Sequence, residues 1–289
     1  MGKVKELKKE ETKKSEEKKV VDTDKIVLRE IKSLTDDYIV NDETYFADHM
    51  YLTNSMLKTL RYGSTFDLNH YLESESKETE SLLVGSAFHC FLLEPNEFDK
   101  RYVFAPKFDK RTKAGKEQYA EFEETLGGKK AIPDTYIKPF NTLIERIKKH
   151  TYASHMVYGA VDTEVIKFWE DVKTGVLCKG KVDVEGDDYI VDIKTTSKGV
   201  DIESFRDFAQ KYNIASQAAF YCNGTQKKKF FFIMCQIKAP YNIAIYQMSP
   251  DAIKHGNAII EVTMNLYKEW QNSDKQLEHY TNGEQIIVV

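Results

Sequence analysis

The chain has 289 residues, of which 41% are hydrophobic and 30% charged, and a formal net charge of −4. That is enough for a substantial core, in one large domain or two small ones, with a charge-rich, water-facing surface. No run approaches the ~18–20 apolar residues of a membrane helix, the N-terminus lacks the apolar segment of a secretory signal, and the acidic balance argues against a non-specific nucleic-acid coat.

Residues 1–25 mix Lys and Glu with almost no apolar side chains. Such a segment buries no core, so a disordered tail is expected, followed by a single domain over 26–289. In LTNSMLKTLRYGSTFDLNHYL, residues 52–72, Thr53, Asn54 or Ser55 can cap a helix starting at Met56. The acidic ESESKETE reads as a loop, and SLLVGSAFHCFLLEP, 81–95, as a buried helix stopped by Pro95. A basic loop with Lys107, Lys110, Arg111, Lys113 and Lys116 leads into a helix, and another helix is expected over Thr135–His150.

Strand-like sequence then runs from Asp162 to Thr196, and DIESFRDFAQKYNIASQAAFYCNG supplies helix. FFFIMCQIKAP and YNIAIYQMS form a strand pair about a Pro-containing turn, and Asp251–Asn272 is a last helix. This order predicts a mixed α/β (α+β) fold with a central mixed sheet flanked by helices. Cys90, Cys178, Cys222 and Cys235 are widely spaced and form no CxxC. They are expected to be reduced, buried thiols of a cytosolic protein. No Walker A sequence is present, so no nucleotide is expected.

The stretch GKVDVEGDDYIVDIKTT, residues 180–196, has two alternating halves about a Gly-Asp turn. With Gly186–Asp187 as a two-residue hairpin turn, Asp183 faces Ile190, and Asp183, Asp192 and Lys194 share one face. A three-residue loop would pair Asp183 with Val191 and turn Asp192 away. By the same alternation Lys179 and Lys181 share the face of Asp183. Two converging carboxylates repel, and Mg²⁺ held by them would neutralise that repulsion and act on a phosphate. A solvent-exposed hairpin face alternates in the same way, so geometry alone leaves both readings open.

The arrangement D-x8-DIKTT, preceded by CKGK, resembles the catalytic core of the PD-(D/E)XK nuclease superfamily, and more narrowly its RecB-type and exonuclease VIII-like (RecE-like) phage members. LTNSMLKTL, GSAFHCFLLEPNEFDKRYV, DKRTKAGKEQYAEF and SQAAFY resemble further segments of that family, in the same order, over roughly residues 35–270. Val182 stands where the superfamily name has proline.

The resemblance implies a restriction-endonuclease-like core. It makes Asp183 and Asp192 metal-binding acids, Lys194 the catalytic lysine and His89 a metal ligand, whereas a lone histidine in an apolar helix otherwise reads as a core residue. The histidine suits Mn²⁺ better than Mg²⁺. Gln217 and Tyr221, four apart on one helix face, would support the site or contact DNA; packing explains them equally. Glu164 would join the metal site, or is a strand-edge glutamate. Lys110, Arg111, Lys113 and Lys116 of the basic loop, Lys179 and Lys181, and the run Lys227, Lys228 and Lys229 are the candidate phosphate contacts.

No iron–sulfur cluster is expected, because the four cysteines do not follow the layout of cluster-bearing RecB-type nucleases. The implied activity is a Mg²⁺- or Mn²⁺-dependent exonuclease on linear double-stranded DNA, 5′ to 3′, in phage or prophage recombination. A ring-shaped homo-oligomer, a single-strand annealing recombinase partner and a bacterial or phage-infected host cytoplasm go with it. The competing readings are an endonuclease or single-strand nuclease on the same core, a catalytically decayed DNA-binding protein, and a metal-dependent hydrolase of another substrate.

Overall fold

A side-chain cap begins the first helix: Thr53 Oγ1 accepts the Met56 N–H at 3.2 Å, starting α1 (Asn54–Tyr62). The structure is a computed structural model, and it describes residue 45, residues 50–74 and residues 78–273. Two compact units divide the chain, Met1–Asp48 and His49–Val289. Every element from α1 onward lies in the second unit; the expected N-terminal tail lies outside the described residues.

After α1 the chain turns at Gly63 and Ser64 into α2 (Thr65–Glu73). The expected apolar helix is α3 (Glu80–Leu93), and Pro95 both ends it and opens α4 (Pro95–Arg101) as its N-terminal proline. A small parallel pair, β1 (Tyr102–Ala105) and β2 (Lys130–Pro133), encloses α5 (Lys113–Thr125). Neither strand was anticipated from the sequence; each is four residues long, too short to show a period. α6 (Ile137–Lys149) and α7 (Thr151–Tyr158) follow.

Among the described residues the main sheet has five strands in chain order: β3 (Asp162–Glu170), β4 (Leu177–Glu185), β5 (Tyr189–Thr196), β6 (Lys229–Gln236) and β7 (Ile243–Gln247). Neighbours are antiparallel except β5 and β6, which are parallel and joined through α8 (Ile202–Tyr212) and α9 (Ile214–Thr225). Asn213, with φ 42°, breaks what reads as one helix into these two. α10 (Pro250–Asn272) closes the described chain.

The central strands β4, β5 and β6 are mostly buried, with helices on both faces, which accounts for their apolar runs, while β3 and β7 at the edges are half-buried. Along β6, Ile233 and Cys235 pack with α3, α6 and α7, while Phe230, Phe232 and Met234 pack with α8 and α9. A third cluster joins α1, α2, α9 and α10 over the start of β4. The mixed α/β class and flanked central sheet expected from the sequence are what the chain forms.

Candidate metal centre

The β4–β5 hairpin corrects one part of the sequence reading. Glu185 pairs with Ile190 and Val184 with Val191, and Gly186 N–H donates to Tyr189 O at 2.9 Å. The two-residue turn is therefore Asp187–Asp188, one position later than expected. The parity of the loop is preserved, and Asp183 comes into register with Asp192 instead of Ile190.

The regular β4–β5 ladder stops at that point. Asp183 Oδ2 instead accepts the Ile193 N–H at 2.6 Å, a side chain standing in for a ladder bond. Further back, β4 leaves β5 and bonds the segment at Leu52, whose N–H reaches Leu177 O at 2.9 Å and whose O takes the Lys179 N–H at 2.9 Å. The same place shows a second irregularity. Val184 packs on the α3 side with Val191, whereas Val182 packs on the α9 side with Ile190. Strict alternation would put both valines on one side.

The strand thus turns over at Asp183. Opposite it on β3, where the pairing skips between Thr163–Val184 and Val165–Val182, Glu164 has φ 55°. A non-glycine residue held there is strained, and such strain persists only where its surroundings enforce it. The consequence is functional placement: side chains from both helical layers reach one point.

From the α3 side comes His89. Its Nε2–H donates to Ile193 O at 2.7 Å, which fixes the ring and turns Nδ1 toward Asp183 Oδ1 at 3.6 Å and Glu164 Oε1 at 3.8 Å. One ligand atom each from His89, Glu164 and Asp183 lies within 4.8 Å of the others. Lys181 Nζ holds Glu164 Oε2 at 2.7 Å. Among the described residues, none donates a hydrogen bond to the buried Glu164 Oε1. Burying a carboxylate oxygen unsatisfied is costly, and a divalent cation between it, His89 Nδ1 and Asp183 would remove the cost. The donor set of one imidazole and two carboxylates fits Mn²⁺ or Mg²⁺.

The electrostatics agree. Burial raises the Asp183 carboxyl to about 6, helped by Asp192 and Glu164 and opposed by His89 and Lys194. Burial works against a charged His89, yet Asp183 and Glu164 raise its imidazole to about 9. Burial also opposes a charged Glu164, but His89 and Lys181 keep its carboxyl below the usual range. Surplus negative charge is thus being met with protons and ammonium groups, a role a metal ion could take over.

From the α9 side, Gln217 Nε2 donates to Asp192 Oδ1 at 2.7 Å, and Lys194 Nζ lies 2.6 Å from Asp192 Oδ2. Burial disfavours the Lys194 ammonium, but Asp192 and Asp183 outweigh it and raise its pKa. His89, Glu164, Asp183, Asp192, Lys194 and Gln217 therefore converge. Asp192, expected among the metal ligands, gives Oδ1 to Gln217, while its buried Oδ2 makes no hydrogen bond among the described residues and lies 2.6 Å from the Lys194 ammonium, beside the three-ligand set. Tyr221 packs differently: its ring covers Gly180, where a Cβ would come within 2.6 Å of it, and neighbours Phe220 and Phe230.

The candidate phosphate contacts scatter. Lys179 is 1% exposed, so its side chain is not presented to a substrate, and Lys181 is engaged by Glu164. Lys227 reaches Glu185 at 3.4 Å and Asp187 O at 2.9 Å, and Lys229 pairs with Asp188 at 2.6 Å. Both thereby fasten β6 to the hairpin turn, while Lys228 is exposed. In the basic loop Arg111 pairs with Asp109, Lys113 with Glu117, and Lys110 lies 3.0 Å from the centre of the Tyr119 ring. Lys107 and Lys116 are exposed.

The family model of a PDDEXK-like domain of unknown function (DUF3799) matches residues 53–283 of this chain. The chain belongs to that family. This agrees with the superfamily resemblance carried by Asp183, Asp192 and Lys194. Among solved structures, it is similar to a protein from Eubacterium rectale provisionally assigned as an exonuclease, with 18% identity, TM-score 0.61, and 86% of this chain and 95% of the other covered. A phage-related exonuclease from Haemophilus somnus 129PT gives 14% identity and TM-score 0.33 over 56% of this chain and 84% of the other. An alkaline exonuclease from Laribacter hongkongensis gives 17% and 0.31 over 57% and 87%. No curated protein matches by sequence. Among the described residues no helix is long and apolar enough to cross a membrane.

Proposed function

We propose that this PDDEXK-like domain is a metal-dependent exonuclease that hydrolyses phosphodiester bonds of linear double-stranded DNA. One observation carries the reading: the turnover of β4 at Asp183 gathers His89, Glu164 and Asp183 into a cation-sized set beside the Asp192–Lys194 pair. His89, Glu164 and Asp183 would hold the Mg²⁺ or Mn²⁺. Bound there, the ion would offset the charge that builds on a phosphate under attack and lower the pKa of a water.

The protein's own side chains do the rest. Lys194 is held as an ammonium by Asp192, so it donates hydrogen bonds to the attacking water or to a phosphate oxygen and is not a general base. Gln217 fixes the other oxygen of Asp192 and thereby the direction of Lys194. His89 is oriented by the Ile193 carbonyl, and Glu164 by Lys181.

The 5′-to-3′ polarity, the role in phage or prophage recombination, the ring-shaped homo-oligomer, the annealing-recombinase partner and the cytoplasmic location extend this reading. They rest on the resemblance to exonuclease VIII-like proteins. The test is one DNA in two forms, linear blunt and covalently closed circular, with Mg²⁺, Mn²⁺ or EDTA, for wild type and Asp192→Ala. Loss of the linear form alone, abolished by EDTA and by the substitution, is expected. Cutting of the circle would make the protein an endonuclease on the same site. Cleavage of neither form with any metal would overturn the nuclease reading.

A further inference from the structure

The expected phosphate contacts are mostly spent on the protein's own acids, which raises the question of what else meets DNA near the centre. Two side chains of α1 reach the junction of α8 and α9. Lys58 and Arg61, three apart and so on one face of α1, touch Tyr212 and Ser216, which are four apart across the Asn213 break. Lys58 Nζ is 4.8 Å from the centre of the Tyr212 ring, and Lys211 Nζ is 5.1 Å from it. Arg61 Nη1 donates to Ser216 Oγ at 2.5 Å, and Ser216 Oγ donates to Asn213 O at 2.9 Å. The next residue, Gln217, is the one that holds Asp192.

We infer that Tyr212 and Lys58 form a landing surface for the strand being cut, leading past Ser216 and Gln217 to Asp192 and Lys194. The inference rests on the nuclease reading for its substrate and on three observations for its place. First, Tyr212 is an exposed aromatic, with 39% of its surface open. Single-stranded nucleic acid binds where bases stack on such rings and cations follow the backbone. Second, Lys58 sits over that ring, whereas Lys181, Lys194, Lys227 and Lys229 each face a carboxylate. An ammonium on a ring face can swing to a phosphate without breaking an ion pair. Third, Ser216, which takes Arg61 of α1, directly precedes Gln217, which holds Asp192, so the surface lies within one helical turn of a residue of the centre.

Two measurements test this: anisotropy of a fluorescein-labelled single-stranded 12-mer in EDTA, and steady-state cleavage of linear DNA. The variants are Tyr212→Ala, Tyr212→Phe and Lys58→Glu, with Lys113→Glu in the basic loop as a charge control and thermal melting as a check on folding. Tyr212→Ala and Lys58→Glu are expected to weaken 12-mer binding about tenfold. They should raise KM with kcat little changed and melting preserved, while Tyr212→Phe stays at wild type. Unchanged binding by both variants, or a loss no greater than that of Lys113→Glu, would overturn the proposal. A fall in kcat at constant KM would also overturn it, because it would place these residues in support of Gln217. Since the anisotropy arm needs no metal or cleavage, a protein that cuts nothing yet shows the binding losses would sink the nuclease reading and leave this surface standing.

Discussion

Lys181 Nζ lies 2.7 Å from Glu164 Oε2, and this contact decides which oxygen of Glu164 faces the centre. The other, Oε1, is buried, takes no hydrogen bond among the described residues and looks toward His89 Nδ1. Lys181 was expected to meet a phosphate; its position makes it the residue that orients Glu164, a proposed metal ligand. Lys181→Met should weaken Mn²⁺ binding about tenfold, as loss of a partner behind a ligand commonly does, and Lys181→Arg should retain most of it. A metal titration on the DNA-free protein checks this. Tighter binding in Lys181→Met would mean that the lysine competes with the cation instead.

Asp192 joins the two halves of the centre, taking Lys194 on one oxygen and Gln217 on the other. Asp192→Ala should abolish cleavage. Gln217→Leu leaves the charges intact but frees their direction, so kcat should fall about ten- to a hundredfold with KM little changed. Single-turnover rates separate this from a binding defect. A KM effect alone would assign Gln217 to substrate contact.

His89 makes the metal-free protein pH-sensitive. Its folded pKa, about 9, is above the ordinary 6.5, so the folded state keeps a proton that the unfolded chain has released. The stabilising contribution is full below about pH 6.5 and is lost as pH rises through about 9. Urea midpoints in EDTA should therefore fall from about pH 6.5 to about pH 9.5, and His89→Ala should flatten this part of the curve. A midpoint that rises over that range contradicts the assignment.

All four cysteines are free and buried. Burial raises the thiols of Cys90 and Cys222 to about 11 and that of Cys235 to about 12, and raises Cys178 further still. Thiolate is the reactive form, so none should react with a thiol reagent at pH 8 in the folded protein, and all four should react in urea. Rapid labelling of a native cysteine would show that its surroundings open.

α9 carries Gln217 and Tyr221 and is seated on α10 by close backbone contact. A Cβ at Gly256 would lie 2.1 Å from Ala215 O and 3.0 Å from Ala219 Cβ. Gly256→Ala should cost about 1–3 kcal/mol of stability and displace α9. Chemical denaturation and kcat would fall together if that packing positions Gln217.

Much of the fold was legible because it is local. Thr53 as a cap, the apolar α3 with Pro95 after it, and the alternation of β4 and β5 are written within a few residues of where they act. The hairpin turn was placed one position early, at Gly186–Asp187 in place of Asp187–Asp188, and the parity survived because both loops are two residues long. Gly186 serves the turn differently from the way expected: the Tyr189 ring lies where its Cβ would be. The lysines were the least legible. A run such as Lys227–Lys229 reads as a phosphate-binding patch until Glu185 and Asp188 are seen against it.

By itself, then, the sequence determined the alternating hairpin that carries Asp183, Asp192 and Lys194 and most of the longer helices and strands, while His89 and Glu164 entered only through the resemblance and the short β1 and β2 not at all. Only the tertiary structure decided how these side chains meet. Periodicity assumes that a strand keeps its faces, and β4 exchanges them at Asp183 while Glu164 takes a left-handed backbone beside it. No single-residue preference predicts that exchange. It is imposed by two helical layers, one packing Val184 and the other Val182, whose contacts outweigh the local cost of strain.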